Sequence, residues 1–323
     1  MQNMADKLLE EINKKQNPSV VGLDPRINQI PEFITKRNLE AYGNSFKAAA
    51  NAIIEFNKLI INAISETLPA VKPQIAFYEQ YGPEGVRAFK ETVDYAKEKG
   101  LIVIGDAKRN DIGSTAEAYA DGHLGEVKMI EGSMPSLNAD LITVNGYLGS
   151  DGLMPFIEAC KKHGKGIFIL NKTSNPSSGE LQDKKTEEGK TVYEIMAELI
   201  DKLGKDLTGQ KGYSPIGAVV GATYPEQAKI LRNLMPKTIF LVPGYGAQGG
   251  GAEDVVPCFN EDGYGAIVNS SRGIIFAYEK EPYKDKFKPE EFHLASRQAA
   301  IDMKKDILDA LKKNGKLPEG WNA

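Results

Sequence analysis

The amino-acid sequence predicts an α/β protein of the (β/α)8 TIM barrel class, built as a single domain with an extended loop after the fifth strand and a helix near the carboxyl end. Three observations carry that prediction: eight short runs rich in Val, Ile and Leu, helical periodicity between them, and no stretch that reads as a linker between two halves. Apolar strands alternating with helices belong to a parallel sheet covered on its outer face, and eight such units favour a closed barrel. An open doubly wound sheet is the competing reading of the same pattern.

The predicted strands are Ser19–Leu23, Ala70–Pro73, Leu101–Gly105, Leu141–Val144, Gly166–Leu170, Gly217–Val220, Thr238–Val242 and Gly265–Val268. Helical stretches fall at Ser45–Ser65, Pro83–Lys99, Leu153–His163, Thr191–Lys202 and Pro225–Leu234. One domain is expected to span residues 1–323, its barrel core covering about 18–278. A charged amphipathic helix at 4–15 would precede it and a packing helix at about 290–313 would follow, with Leu294, Ile301, Ile307, Leu308 and Leu311 as its apolar positions. Between Asn171 and Pro215 the polar segment TSNPSSGELQDKKTEEGK interrupts the rhythm. It reads as a surface embellishment or as a lid over the carboxyl face of the barrel.

Composition excludes several function classes. The chain is 41% hydrophobic and 26% charged, and its net charge of −4 comes from 40 basic and 44 acidic residues with no long basic block, so nucleic acid is not an expected partner. Cys160 and Cys258 are too few for a disulfide framework and lie outside any zinc spacing, which points to the cytoplasm. The amino-terminal segment lacks the apolar core of a signal peptide, and no run approaches about 18 apolar residues, so neither export nor membrane insertion is expected.

The chemistry concentrates at strand ends. Alternation along the third strand puts Ile102, Ile104, Asp106 and Lys108 on one face, so two opposite charges follow two aliphatics. Asp111 falls three residues later, in the loop. Alone, such a DxKxxD run is also what an exposed ion-pair cluster looks like. Its neighbours add weight: the second strand reads Ala70-Val71-Lys72-Pro73, and the first ends in Gly22-Leu23-Asp24. Three successive strands thus deliver ionisable groups to one end, a costly arrangement unless the charges pair, and more typical of sites than of cores. The seventh unit ends in a glycine-rich loop, Gly244 to Gly251, and the eighth in Asn269-Ser270-Ser271-Arg272-Gly273. Backbone N–H groups and an arginine on the last two loops suit a phosphorylated substrate.

With these pieces in place, the sequence resembles the orotidine 5'-phosphate decarboxylase family in its longer bacterial form, from about Ser19 to Tyr278. The resemblance rests on GLDPR, the lysine of AVKPQ, GDAKRNDIGST, TSNP, PGYGAQGG and SSRGI, in the family's order. It implies a homodimer acting on orotidine 5'-phosphate without metal or cofactor. Lys108 would deliver a proton to C6 after carbon dioxide leaves, and Asp106 would face the substrate carboxylate. Lys72, Asp106, Lys108 and Asp111 would form an alternating charged array, with Asp111 reaching in from the partner subunit. Asp24, Lys72, Asp111 and Thr115 would hold the ribose hydroxyls, Ser174 the pyrimidine, and Gln248 and Arg272 the phosphate. Ile112, Gly249 and Ser271 are further expected substrate contacts. Ser271 departs from many shorter members, which have glycine there. Such a reaction leaves charge on C6 with no electron sink, so the site must stabilise it electrostatically.

Three rivals share parts of the pattern: a metal-dependent sugar-phosphate decarboxylase or aldolase of the same superfamily, a non-catalytic nucleotide-binding barrel, and an aldolase forming a Schiff base on Lys72 or Lys108. His123, His163 and His293 lie in or beside helical segments and are expected to be solvated. Trp321 is expected to pack or fray, and Tyr245 to cover substrate or fill space.

Overall fold

In the computed structural model, which describes residues 2–246 and 249–322, the eight apolar runs form one closed ring of parallel strands. They are β1 (Ser19–Leu23), β2 (Ala70–Pro73), β3 (Ile102–Arg109), β4 (Leu141–Val144), β5 (Gly166–Lys172), β6 (Ser214–Val220), β7 (Thr238–Val242) and β8 (Ala266–Ser270). Each strand pairs with its neighbours in sequence, and β8 closes on β1 through Ser19↔Val268 and Val20↔Asn269. Strands covered on both faces must be apolar throughout, and every residue of β1, β2, β4, β6, β7 and β8 is buried.

Large and small side chains interleave inside the ring. A Cβ on Gly217 of β6 would stand 2.5 Å from the Phe168 ring of β5, so glycine there makes room for the aromatic. Four strands run past their expected bounds, β5 reaching Lys172 and β8 reaching Ser270. β3 continues through Asp106 to Arg109, and β6 begins at Ser214, where Pro215 disguises the start because proline cannot donate to a ladder. Helices Glu32–Tyr42 and Gly113–His123, and a small hairpin pairing Val127–Lys128 with Ser133–Met134, were not anticipated.

The terminal helices tie down the outside of the barrel. Helix Met4–Lys15 is capped by Asn3, and its buried Asp6 accepts the N–H groups of Gln210 and Lys211 just before β6. Helix Phe292–Lys313 stacks Phe292 on Phe56 of helix Phe46–Ile64, with ring centroids 5.0 Å apart. Trp321 packs, its indole N–H donating to Asn13 Oδ1 at 2.8 Å. One expectation fails: His123 is not solvated but only 4% exposed, because helix Gly113–His123 turns it inward, while His163 and His293 are half-buried. No helix among the described residues is long and apolar enough to cross a membrane.

Candidate active site

The carboxyl ends of the strands open into a cavity of about 660 Å³. Pore-facing residues of one parity supply its floor: Lys72 on β2 and Gln74 just after it, Asp106 and Lys108 on β3, Thr143 on β4, Leu170 on β5, Val219 on β6, Leu241 on β7 and Asn269 on β8. The floor is therefore polar from β8 round to β4 and apolar from β5 to β7. Asp24 and Phe77 add to the polar side, and the segment after β5 brings Ser174 and Gln182 over the apolar one.

Asp106 is the hub. Its Oδ2 accepts from Lys72 Nζ at 2.7 Å, and its Oδ1 accepts from Lys108 Nζ at 2.6 Å and from the Thr143 hydroxyl at 2.9 Å. Burial alone would raise the Asp106 pKa, but the two ammonium groups outweigh it and hold the carboxyl far below the usual carboxylate range. Lys72, wholly buried, is pushed down by desolvation and up by Asp106 and Asp24, with a net upward shift. Charges taken out of water keep their ionised forms only when paired as closely as this.

Local backbone geometry delivers Lys108. The pairing of β3 with β4 slips between Gly105 and Arg109, and Lys108 takes a positive φ of 50° that non-glycine residues seldom adopt. Its N–H donates to Thr143 Oγ1 at 2.9 Å, so Thr143 holds both this turn and the carboxylate beside it. The side chain stays 44% exposed toward the cavity. Backbone strain held in place by surrounding bonds is a recurrent property of functional positions.

Of the residues singled out from sequence, Asp24, Lys72, Asp106, Lys108, Ser174 and Ser271 line this one cavity. Asp111, Ile112 and Thr115 do not. Asp111 is half-buried, with its Oδ1 accepting the Ile112 N–H at 2.9 Å, and Ile112 and Thr115 are exposed on the loop and helix that follow β3. Gly249 and Arg272 are exposed at the mouth and are not among the lining residues. Gln248 lies outside the described residues. The loop after β7 needs its glycines, since Gly244, Gly246 and Gly249 all take positive φ. Tyr245 in that loop donates to Asp306 Oδ2 at 2.5 Å and so fills a structural place against the carboxyl-terminal helix.

Ser271 fits because of Gly22. A Cβ at Gly22 would fall 1.8 Å from Ser271 Oγ, so the serine occupies space on β1 that only glycine leaves open. Sequence reasoning missed Thr143 and placed Asn269 only at the start of the Arg272 run, although a polar residue inside LITV or AIVNS is the same signal that marked Lys72 in AVKP. Asn269 is 8% exposed, and its Oδ1 has no hydrogen-bond partner among the described residues, as is true of Asp24 Oδ1. Gln182 carried no signal, lying deep in a polar segment. Among the described residues, no group of three or more His, Cys, Asp or Glu side chains is arranged to hold a metal ion.

Residues 20–284 match the family model described as "Orotidine 5'-phosphate decarboxylase / HUMPS family". The chain is 45% identical over 307 residues to an orotidine 5'-phosphate decarboxylase of Rhodopirellula baltica, covering 95% of this chain and 99% of that protein. It is 41% identical over 311 residues to the one of Caldicellulosiruptor bescii, covering 96% and 100%. Among solved structures, Leishmania donovani OMP decarboxylase superposes with a TM-score of 0.69 at 29% identity, covering 96% of this chain and 99% of that one. Full-length identity above 40%, on a barrel that places a Lys–Asp–Lys cluster at its mouth, makes the chain a member of the orotidine 5'-phosphate decarboxylase / HUMPS family.

Proposed function

We propose that the chain converts orotidine 5'-phosphate to uridine 5'-phosphate and carbon dioxide in pyrimidine synthesis, with Lys108 as the acid that protonates C6. The observation that carries this reading is the triplet Lys72–Asp106–Lys108, one desolvated carboxylate between two ammonium groups, facing a cavity of nucleotide size. The names of the two bacterial relatives above 40% identity support the substrate.

In the proposed step the bond from C6 to the carboxylate breaks, the electron pair stays on C6, and a proton from Lys108 Nζ forms the new C–H bond. The ammonium beside C6 stabilises the developing charge in a site already organised to do so. Asp106 faces the substrate carboxylate, and the repulsion between them disappears as carbon dioxide departs. That helps only if remote contacts hold the substrate in place. The proposed contacts are Gln248, Gly249, Ser271 and Arg272 for the phosphate, Asp24, Lys72, Asp111 and Thr115 for the ribose, and Ser174 for the pyrimidine. Asp111, Ile112 and Thr115 lie outside their own chain's cavity, which supports a homodimer in which each chain lends this loop to its partner. The reading treats residues 1–323 as one domain, supported by the continuous core that joins both terminal helices to the barrel, and places the enzyme in the cytoplasm.

The test is direct. Purified protein is mixed with orotidine 5'-phosphate in EDTA while the pyrimidine absorbance is followed, with conversion to uridine 5'-phosphate expected at an unchanged rate. Absence of conversion sinks the reading, and conversion that EDTA abolishes and magnesium restores transfers the site to the metal-dependent rival.

A further inference from the structure

The segment after β5 is ordered by a charge that the chemistry above does not use. Lys172, the last residue of β5, has a wholly buried side chain, and a lysine is seldom so placed unless its charge is matched. Its Nζ donates to Asp183 Oδ1 at 2.7 Å and to Ser178 Oγ at 3.2 Å, and lies 4.4 Å from the centre of the Tyr224 ring. Asp183 and Ser178 belong to the insertion, whereas Tyr224 follows β6 on the barrel. The ammonium is thus clamped between the two.

A short path leads from this clamp to the cavity wall. Gln182, next to Asp183, accepts the Thr173 N–H at 3.0 Å and donates to Thr173 Oγ1 at 2.8 Å. Ser174 follows, its backbone resting on Gly221 where a Cβ would come within 2.9 Å. Gln182 thus couples the segment 178–183 to the backbone that leads into Ser174.

We propose that buried Lys172 and Asp183, whose carboxylate also meets solvent, form an ion-pair latch that fixes the insertion, and through Gln182 the Ser174 wall, against the barrel before substrate binds. Lys172 is a positioning residue and touches no reacting atom. The proposal rests on reading Ser174 as a pyrimidine contact. Asp183 does not line the cavity, so its removal acts only through the latch. Asp183→Ala leaves Lys172 as a buried, uncompensated charge, and the insertion must lift to let it reach water. Replacing both partners with apolar residues removes that demand.

The experiment compares Asp183→Ala, the double variant Lys172→Met/Asp183→Leu, and Ser174→Ala, measuring KM and kcat for orotidine 5'-phosphate and the rate of protease cleavage within 173–191. Asp183→Ala is expected to raise KM about tenfold or more with kcat within about threefold, and to speed cleavage of the insertion. The double variant is expected to recover most of both losses. A raised KM in Ser174→Ala with a normal KM in Asp183→Ala overturns the latch. A double variant as impaired as the single one overturns its electrostatic basis. If Ser174→Ala has a normal KM, the pyrimidine reading of Ser174 fails, and cleavage decides the latch alone: a wild-type rate in Asp183→Ala overturns it, a faster one upholds it.

Discussion

Two triplets of the same composition lie at opposite ends of the barrel, each with one aspartate between two lysines. At the mouth, Asp106 meets Lys72 and Lys108 at 2.7 and 2.6 Å. At the foot, beside the amino ends of β4 and β5, Asp140 meets Lys97 and Lys165 at the looser distances of 3.2 and 3.4 Å. The foot aspartate is committed elsewhere, its Oδ2 accepting the Val103 N–H at 3.0 Å, and its lysines lean on the carbonyls of Asn138 and Ala139. Burial pushes Lys165 down to about 8, against the pull of Asp140 and with help from Lys97, whereas Lys72 at the mouth is shifted upward. The foot triplet ties three strand starts together and only its Lys165 borders a cavity, of about 180 Å³, while all three members of the mouth triplet line one of about 660 Å³. Composition alone therefore does not make a site. Pairing distance, and the end of the barrel at which the charges sit, separate chemistry from scaffolding.

The strongest way to break this contrast is to remove one lysine from each end. Lys108→Ala is expected to lower kcat/KM by more than about ten-thousandfold without changing the melting temperature, since both a proton donor and a charge beside C6 are lost. Lys165→Met is expected to keep kcat/KM within about twofold. Wild-type-like turnover in the first removes Lys108 from the mechanism, and a comparable collapse in the second erases the distinction between the ends. A second test asks whether the mouth, unlike the foot, needs two chains. Lys108→Ala and Asp111→Ala chains, each inactive alone, are mixed under conditions that exchange subunits. If Asp111 serves the partner's cavity, random pairing makes half the dimers mixed, each with one intact site, and activity returns to about a quarter of wild type. No recovery would place Asp111 in its own chain or out of the mechanism.

The barrel was legible because period and order are local properties: apolar runs of strand length separated by amphipathic helices leave few architectures open. Asp24, Lys72, Asp106 and Lys108 were legible for a related reason, as charges standing where an apolar strand should end. The slip in β3 pairing that gives Lys108 its positive φ was not, because alternation assumes a regular ladder and the irregularity depends on Thr143 across the strand gap. Nor was the order within 173–191. Its Ser, Lys and Glu composition reads as solvated loop, and only the fold shows that Lys172 beneath it is buried with Asp183 as its counter-ion. His123 failed through periodicity of the other kind, since a lone polar residue near a helix end does not reveal which way that end turns.

His123 also separates the two ends by pH. Its carbonyl accepts the Ala139 N–H beside the foot triplet, and its Nδ1 is buried with no hydrogen-bond partner among the described residues. Burial first, and the Arg109 guanidinium second, lower its pKa to about 4. The unfolded chain binds this proton near pH 6.5, so the folded state gives up stability as pH falls from about 6.5 toward 4, by about 3 kcal/mol in all, and keeps it fully above that window. Asp106 is depressed as well, but its contribution is lost only below the ordinary aspartate value of about 3.9, so the interval from 6.5 to 4 leaves the mouth triplet intact. Urea unfolding of wild type and His123→Gln across this interval, with turnover measured in parallel, is expected to show a shallower acid loss of stability in the variant and an unchanged kcat. Parallel stability curves would locate the proton uptake elsewhere. A kcat that falls with the substitution would mean that the buried histidine reaches the chemistry through Arg109 and the strand that carries Lys108, and the two ends would then not be independent.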